Sequence, residues 1–348
     1  MKTFYATLFA ISTAISGIAQ ENLNKLDSLI TSGHFKEMSS VVIAHKGKII
    51  FENYYNDATA ATLHNTRSAT KSITGTLIGA LINDGKLSST QEPAWKYTQV
   101  KNLQNPDPRK EKITIESLLT MSSILECDDW NDISRGQEEK MYLLEDWVKF
   151  YWDLPVKGYP EWETKPEDSP YGRDFSYCTA GTVALGDVIN TISGSLETYA
   201  ETALFSKLGI TDYHWQLTPT GIPMTGGGLG IKSKDLIKIG QLYLNNGNWK
   251  GEQIISSAFA KASKEPKAVM GSPDYEYGYL WWIGEFGKDK KETGYFMLGN
   301  GGNKIAVFDD LELVVVLTSS LFTKGIEAHN QTAELLNTFI IPEIQKIN

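Results

Sequence analysis

Cysteine is scarce in this 348-residue chain. Cys127 and Cys178 are its whole complement, and the five histidines are scattered. No Cys/His cluster is present to hold zinc, so neither a metal centre nor any other cofactor is expected. The two thiols are compatible with one disulfide in an oxidising compartment, or with two separate buried thiols. Basic clusters are missing too: net charge is −9 and no block of Lys and Arg follows the first residues, which argues against a nucleic-acid partner. No apolar stretch after residue 20 is long enough to span a membrane.

What is present is enough for a large core, with 41% hydrophobic and 11% aromatic residues, so the chain needs no staples to fold. Its first residues have the form of a secretory signal. Lys2 supplies the charged start, Phe4 to Ile18 an apolar run broken by Thr7, Ser12, Thr13 and Ser16, and Gly17-Ile18-Ala19 a small-residue cleavage site. Residues 1–19 are therefore expected to be removed. A mature chain of residues 20–348 would be secreted or periplasmic, with no stable membrane insertion.

Hydrophobic periodicity orders the rest. Leu23, Leu26, Leu29 and Ile30 mark an amphipathic helix ending at Gly33, and Ser40–Ala44 and Lys48–Glu52 a hairpin whose turn leaves His45 exposed. Thr114 caps a short helix through Met121. An aromatic, charged excursion covers residues 126 to 176; within it Met141 to Trp152 is expected to be a helix and Pro155 to Pro170 a surface loop. That loop offers Tyr159 and Trp162 to line a cleft. Helices follow over Val183–Ile192, closed by Gly194, and Glu197–Leu208, closed by Gly209. Gly226–Gly230 reads as a tight turn before a helix at Ser233, since it lacks the Lys-Ser/Thr of a phosphate loop. Strands return at Gly278–Ile283, Tyr295–Leu298, Lys304–Phe308 and Leu311–Leu317, the last nearly continuous in apolar residues and therefore interior. A helix over about 326–341 ends the chain. Strands at both ends with helices between predict an α/β (α+β) fold: one sheet assembled from both termini, with a helical region of about 65–260 inserted.

The chemistry points to Ser68-Ala69-Thr70-Lys71. Positions i and i+3 share a helix face, so the Lys71 amine can reach the Ser68 hydroxyl if the segment opens a helix. The run Ile73, Leu77, Ile78, Leu81 and Ile82 continues at helical spacing to a stop at Asn83-Asp84-Gly85. Ser68 would then sit where unpaired N–H groups and a positive dipole favour an oxyanion. A capped helix with a solvated lysine would show the same four residues, so the companions decide.

Those companions are Tyr177-Cys178-Thr179 and Gly299-Asn300-Gly301-Gly302, in the order in which S-x-x-K proteins carry their later motifs. Over roughly residues 38 to 340 the chain resembles the serine β-lactamase and penicillin-binding-protein superfamily. It is most similar to the class C-like branch, which includes esterases, D-amino-acid-specific peptidases and 6-aminohexanoate-oligomer hydrolases. The resemblance implies a β-lactamase/transpeptidase-like fold with Ser68 as nucleophile, Lys71 as its activating partner and Tyr177 as proton shuttle. It implies an oxyanion hole from the backbone N–H groups of Ser68 and Asn300. Thr179 stands where the family often has Asn. Gly299 and Gly301 would let substrate approach the strand, and Thr179, Gly299, Gly301 and Trp162 are the expected substrate contacts. The family's strand lysine is replaced, because the matching strand reads Met297-Leu298-Gly299. Weak or no penicillin hydrolysis is therefore expected, and the implied substrate is a small ester, amide or short peptide. A D-Ala-type penicillin-binding peptidase or β-lactamase, and an inactive binding or sensor protein of the same fold, are the alternatives.

Overall fold

The computed structural model describes residues 21–270 and 274–348. The expected signal peptide falls on residues 1–19, outside the described residues. The strands are β1 (Met38–His45), β2 (Lys48–Tyr54), β3 (His64–Asn65), β4 (Tyr213–Trp215), β5 (Leu229–Ile231), β6 (Asn248–Trp249), β7 (Glu252–Gln253), β8 (Ala268–Val269), β9 (Tyr275–Tyr277), β10 (Trp282–Phe286), β11 (Glu292–Gly299), β12 (Asn303–Phe308) and β13 (Leu313–Ser319). Eight of them form one sheet in the order β2-β1-β13-β12-β11-β10-β9-β8, antiparallel throughout. The sheet is thus an open one joined from strands of both ends of the chain, β1 against β13, as the strand pattern predicts.

The helices are α1 (residues 21–31), α2 (Thr70–Asn83), α3 (Ile115–Leu119), α4 (Glu138–Met141), α5 (Trp147–Asp153), α6 (Thr179–Ser193), α7 (Leu196–Ala200), α8 (Ser206–Leu208), α9 (Ser233–Leu244), α10 (Ser257–Ser263), α11 (Gly325–Glu334) and α12 (Ile341–Ile347). They cover the two faces of the sheet. Alternate residues of β13 divide between them: Leu313, Val315 and Leu317 pack with α1 and the C-terminal helices, Val314 and Val316 with the inserted helices. Burial on both faces is why this strand reads as an unbroken apolar run. Within the inserted region α2 is buried from Thr70 to Leu81, a position that no solvated surface helix occupies.

Three local expectations are corrected. The helix expected over Met141–Trp152 is two pieces, because the Asp146 carboxylate accepts from the Lys149 N–H and starts α5 afresh. Of the strand expected over Gly278–Ile283, only Trp282 and Ile283 are strand, the start of β10, and residues 278–281 are a turn between β9 and β10. Gly278 N–H bonds back to the Trp281 carbonyl at 2.8 Å and Leu280 N–H reaches Leu119 at 2.8 Å, while a Cβ at Gly278 would lie 2.0 Å from the Ser263 carbonyl oxygen. His45 ends β1 with 8% of its surface exposed rather than standing in solvent.

Candidate active site

Ser68 lies in a single 3-10 turn, Arg67–Ala69, that runs directly into α2. The turn is held from outside: Thr66 Oγ1 donates to the Leu229 carbonyl at 2.9 Å, and Thr66 N–H reaches the same oxygen at 2.9 Å. Arg67, immediately before Ser68, has φ of 52°, a left-handed conformation that costs a side-chain-bearing residue energy. Its N–H donates to Asn65 Oδ1 at 3.0 Å, and its guanidinium lies 4.3 Å from the centre of the Phe322 ring.

Lys71 is 1% exposed. Its Nζ donates to Ser68 Oγ at 3.0 Å and to the Gly226 carbonyl at 2.6 Å. The glycine run read as a plain turn therefore has a second use, since its first carbonyl anchors the amine beside Ser68. Tyr177 stands just ahead of α6 and is also buried. Burial pushes its phenol up, whereas the Lys71 charge and the hydrogen bond to Ser68 pull it back down. Lys71 Nζ lies 5.1 Å from the centre of the Tyr177 ring. The structure thus brings Ser68, Lys71 and Tyr177 together as the spacing and the resemblance imply.

Asn300 follows the last residue of β11. Gly299 approaches the Ser68 turn so closely that a Cβ there would sit 2.0 Å from the Thr66 carbonyl oxygen. This contact sets Asn300 beside Ser68, and the two residues are shared by both cavities at the site. The first cavity, about 560 Å³, includes Glu138, Glu139, Tyr142 and Gly226–Gly228. The second, about 390 Å³, includes Tyr177, Trp130, Trp282, Phe296 and Lys304. Ser68 stands at their junction.

Of the expected substrate contacts, Gly299 lines the second cavity beside Ser68, and Gly301, Thr179 and Trp162 have other placements. Gly299 spends its missing side chain on Thr66, as above. Gly301 has φ of 87° and its Cβ would lie 2.5 Å from the Phe322 ring, so it serves the β11–β12 turn. Thr179 is fully buried; its N–H donates to Asp129 Oδ2 at 2.7 Å and its hydroxyl to Glu138 Oε2 at 3.2 Å. Trp162 is 86% exposed on its loop and lines neither cavity.

The tryptophan at the cleft is Trp130, whose ring stacks on Tyr177 at 5.3 Å with planes 2° apart. Cys127 and Cys178 form a disulfide, with Cα atoms 5.5 Å apart, which ties the segment carrying Asp129 and Trp130 to that carrying Tyr177 and Thr179. Asp129 is the unexpected member of this group. Burial pushes its carboxyl up to about 7, against the opposing pull of Lys71. Its Oδ1 is buried without a hydrogen-bond partner among the described residues. The sequence signal for Asp129 and Trp130 was their adjacency to Cys127, which gains meaning only once the disulfide is known. Among the described residues no group of three or more His, Cys, Asp or Glu is placed to hold a metal ion.

Comparison with known proteins bears on the family and the fold. The family model described as Beta-lactamase matches residues 26–337. The 6-aminohexanoate-dimer hydrolase of Paenarthrobacter ureafaciens is 25% identical over 256 residues, 68% of this chain and 62% of that protein; the match thus spans less than two thirds of the relative. A Bacillus anthracis protein with a provisional 6-aminohexanoate-dimer hydrolase assignment superposes with a TM-score of 0.69 at 21% identity, over 90% of this chain and 79% of its own. The octameric penicillin-binding protein homologue of Pyrococcus abyssi gives 0.65 at 20% identity, over 92% and 80%. These superpositions establish the shared fold. With a family match covering most of its length and an antiparallel sheet built from strands of both its ends, the chain belongs to the β-lactamase family.

Proposed function

We propose that this protein is a secreted serine hydrolase that cleaves a small ester or amide, short peptides included, through an acyl-enzyme on Ser68. The observation that carries the reading is the 3.0 Å contact between the buried Lys71 amine and Ser68 Oγ, with the Tyr177 phenol on the same oxygen. In this reading Ser68 Oγ attacks the carbonyl carbon and its proton passes to the Lys71–Tyr177 pair. The oxyanion is held by the Ser68 and Asn300 N–H groups. The C–O or C–N bond then breaks as the leaving group takes the proton. Water attacks the Ser68 ester, releasing the acid and restoring the hydroxyl. The Cys127–Cys178 disulfide supports an oxidising compartment.

The test is the intact mass after exposure to a fluorophosphonate, wild type beside Ser68→Ala. An adduct on the wild type alone supports the reading. No adduct on either protein would overturn it and favour a binding protein of the same fold.

A further inference from the structure

The second cavity is lined by a buried lysine, Lys304, whose amine has no acidic partner among the described residues. Lys304 is 3% exposed, and its side chain makes no hydrogen bond or ion pair with the described residues; its Nζ is flanked by the Phe286 and Phe296 rings at 5.5 and 5.8 Å. It faces Leu298 across the β11–β12 hairpin, on the strand next to the one from which the family's lysine is missing. Burial lowers its amine to about 7, the cost of a cation withdrawn from water without an anion. His329 beside it leaves its Nδ1 buried and unpartnered among the described residues.

The way from Ser68 to this amine is aromatic. Tyr177 stacks under Trp130 at 5.3 Å, Trp130 lies 6.3 Å from Trp282, and Trp282 stacks at 6.3 Å on Phe296. All four rings line the same cavity as Ser68 and Lys304. A neutral apolar ligand would fill the rings and leave the buried amine without a partner, whereas a terminal carboxylate would fill them and pair with the amine in its charged form.

From this arrangement we infer that the cavity between Trp130 and Lys304 is an anion subsite for substrates bearing a carboxylate on an apolar spacer, with Lys304 its recognition residue. This deepens the proposed hydrolase reading and rests on it for the word substrate; the subsite itself is testable without turnover. In Ser68→Ala, binding of 4-phenylbutanoate and of uncharged 4-phenylbutanamide is followed by tryptophan fluorescence. In the wild type both are tested as competitors of p-nitrophenyl acetate hydrolysis. The carboxylate is expected to bind at least tenfold more tightly than the amide. Lys304→Met, close in size and apolar, is expected to abolish the difference, and Lys304→Arg to retain it. Equal binding of the two compounds, or a preference that survives Lys304→Met, overturns the inference. Absence of ester hydrolysis with the fluorescence preference intact would instead count against the hydrolase reading and leave the subsite standing.

Discussion

Trp130 lies flat on Tyr177, 5.3 Å away and 2° from parallel, with 59% of its own surface in solvent. An exposed ring thus roofs a buried phenol. Such a pair contributes roughly 0.5–1.5 kcal/mol beyond area burial. Trp130→Ala is expected to lower kcat/KM for a p-nitrophenyl ester by about tenfold, while Trp162→Ala leaves it within twofold. A larger loss from the Trp162 variant would show that the long loop reaches the cleft after all.

The disulfide joins residues 51 positions apart. Replacing both cysteines by serine is expected to cost about 2–4 kcal/mol in guanidinium denaturation. The Ser at position 178 can still cap α6, where Cys178 Sγ now accepts the Gly181 N–H at 3.2 Å. The loss should therefore come with freer motion of Trp130, read as a lower steady-state fluorescence anisotropy, rather than with loss of helix by circular dichroism.

Asp129 gives stability a pH dependence of known sign. Its folded value near 7 lies above the ordinary 3.8, so the group's stabilising contribution is full below about 4 and is lost as pH rises through 7. Asp129→Asn keeps an oxygen for the Thr179 N–H and removes the titration. The stability of wild type relative to this variant should fall between pH 5 and pH 8 in paired urea denaturations. A constant difference would mean that Asp129 is ionised throughout.

Gly299→Ala forces a methyl against the Thr66 carbonyl oxygen, at 2.0 Å in the present geometry, and backbone rather than a flexible side chain must yield. Because Asn300 follows it, the shift falls on the proposed oxyanion hole. The expected result is a fall in kcat of about a hundredfold or more with a lowered Tm. Unchanged kcat would remove the Asn300 N–H from the mechanism.

How much of this the sequence discloses follows from how local each feature is. Ser68 and Lys71 are one helical turn apart, so their contact is written in four residues, and Leu313–Val316 read as interior because both faces of β13 are covered. Asp129, Trp130 and Lys304 reach the site through a disulfide and a strand register, which composition does not reveal. The Leu298–Lys304 pairing follows by counting outward from the Asn300-Gly301-Gly302 turn, once that turn is taken to join neighbouring strands. Trp130 and Trp162 carry the same chemistry within one excursion. Only the path of the backbone, fixed by the tie between Cys127 and Cys178, sends one of them to the cleft.

The pairing of β1 with β13 has a bearing on biosynthesis. Val42 meets Val316 in the finished sheet, yet the ribosome makes one long before the other: at about 5–20 residues per second, the 274 positions that separate them (316 minus 42) take roughly 14 to 55 s. For that interval the hairpin of β1 and β2 has an apolar edge with no strand to cover it. The nascent chain cannot complete its core until β13 emerges, so a holdase chaperone has a window in which to take it before it folds.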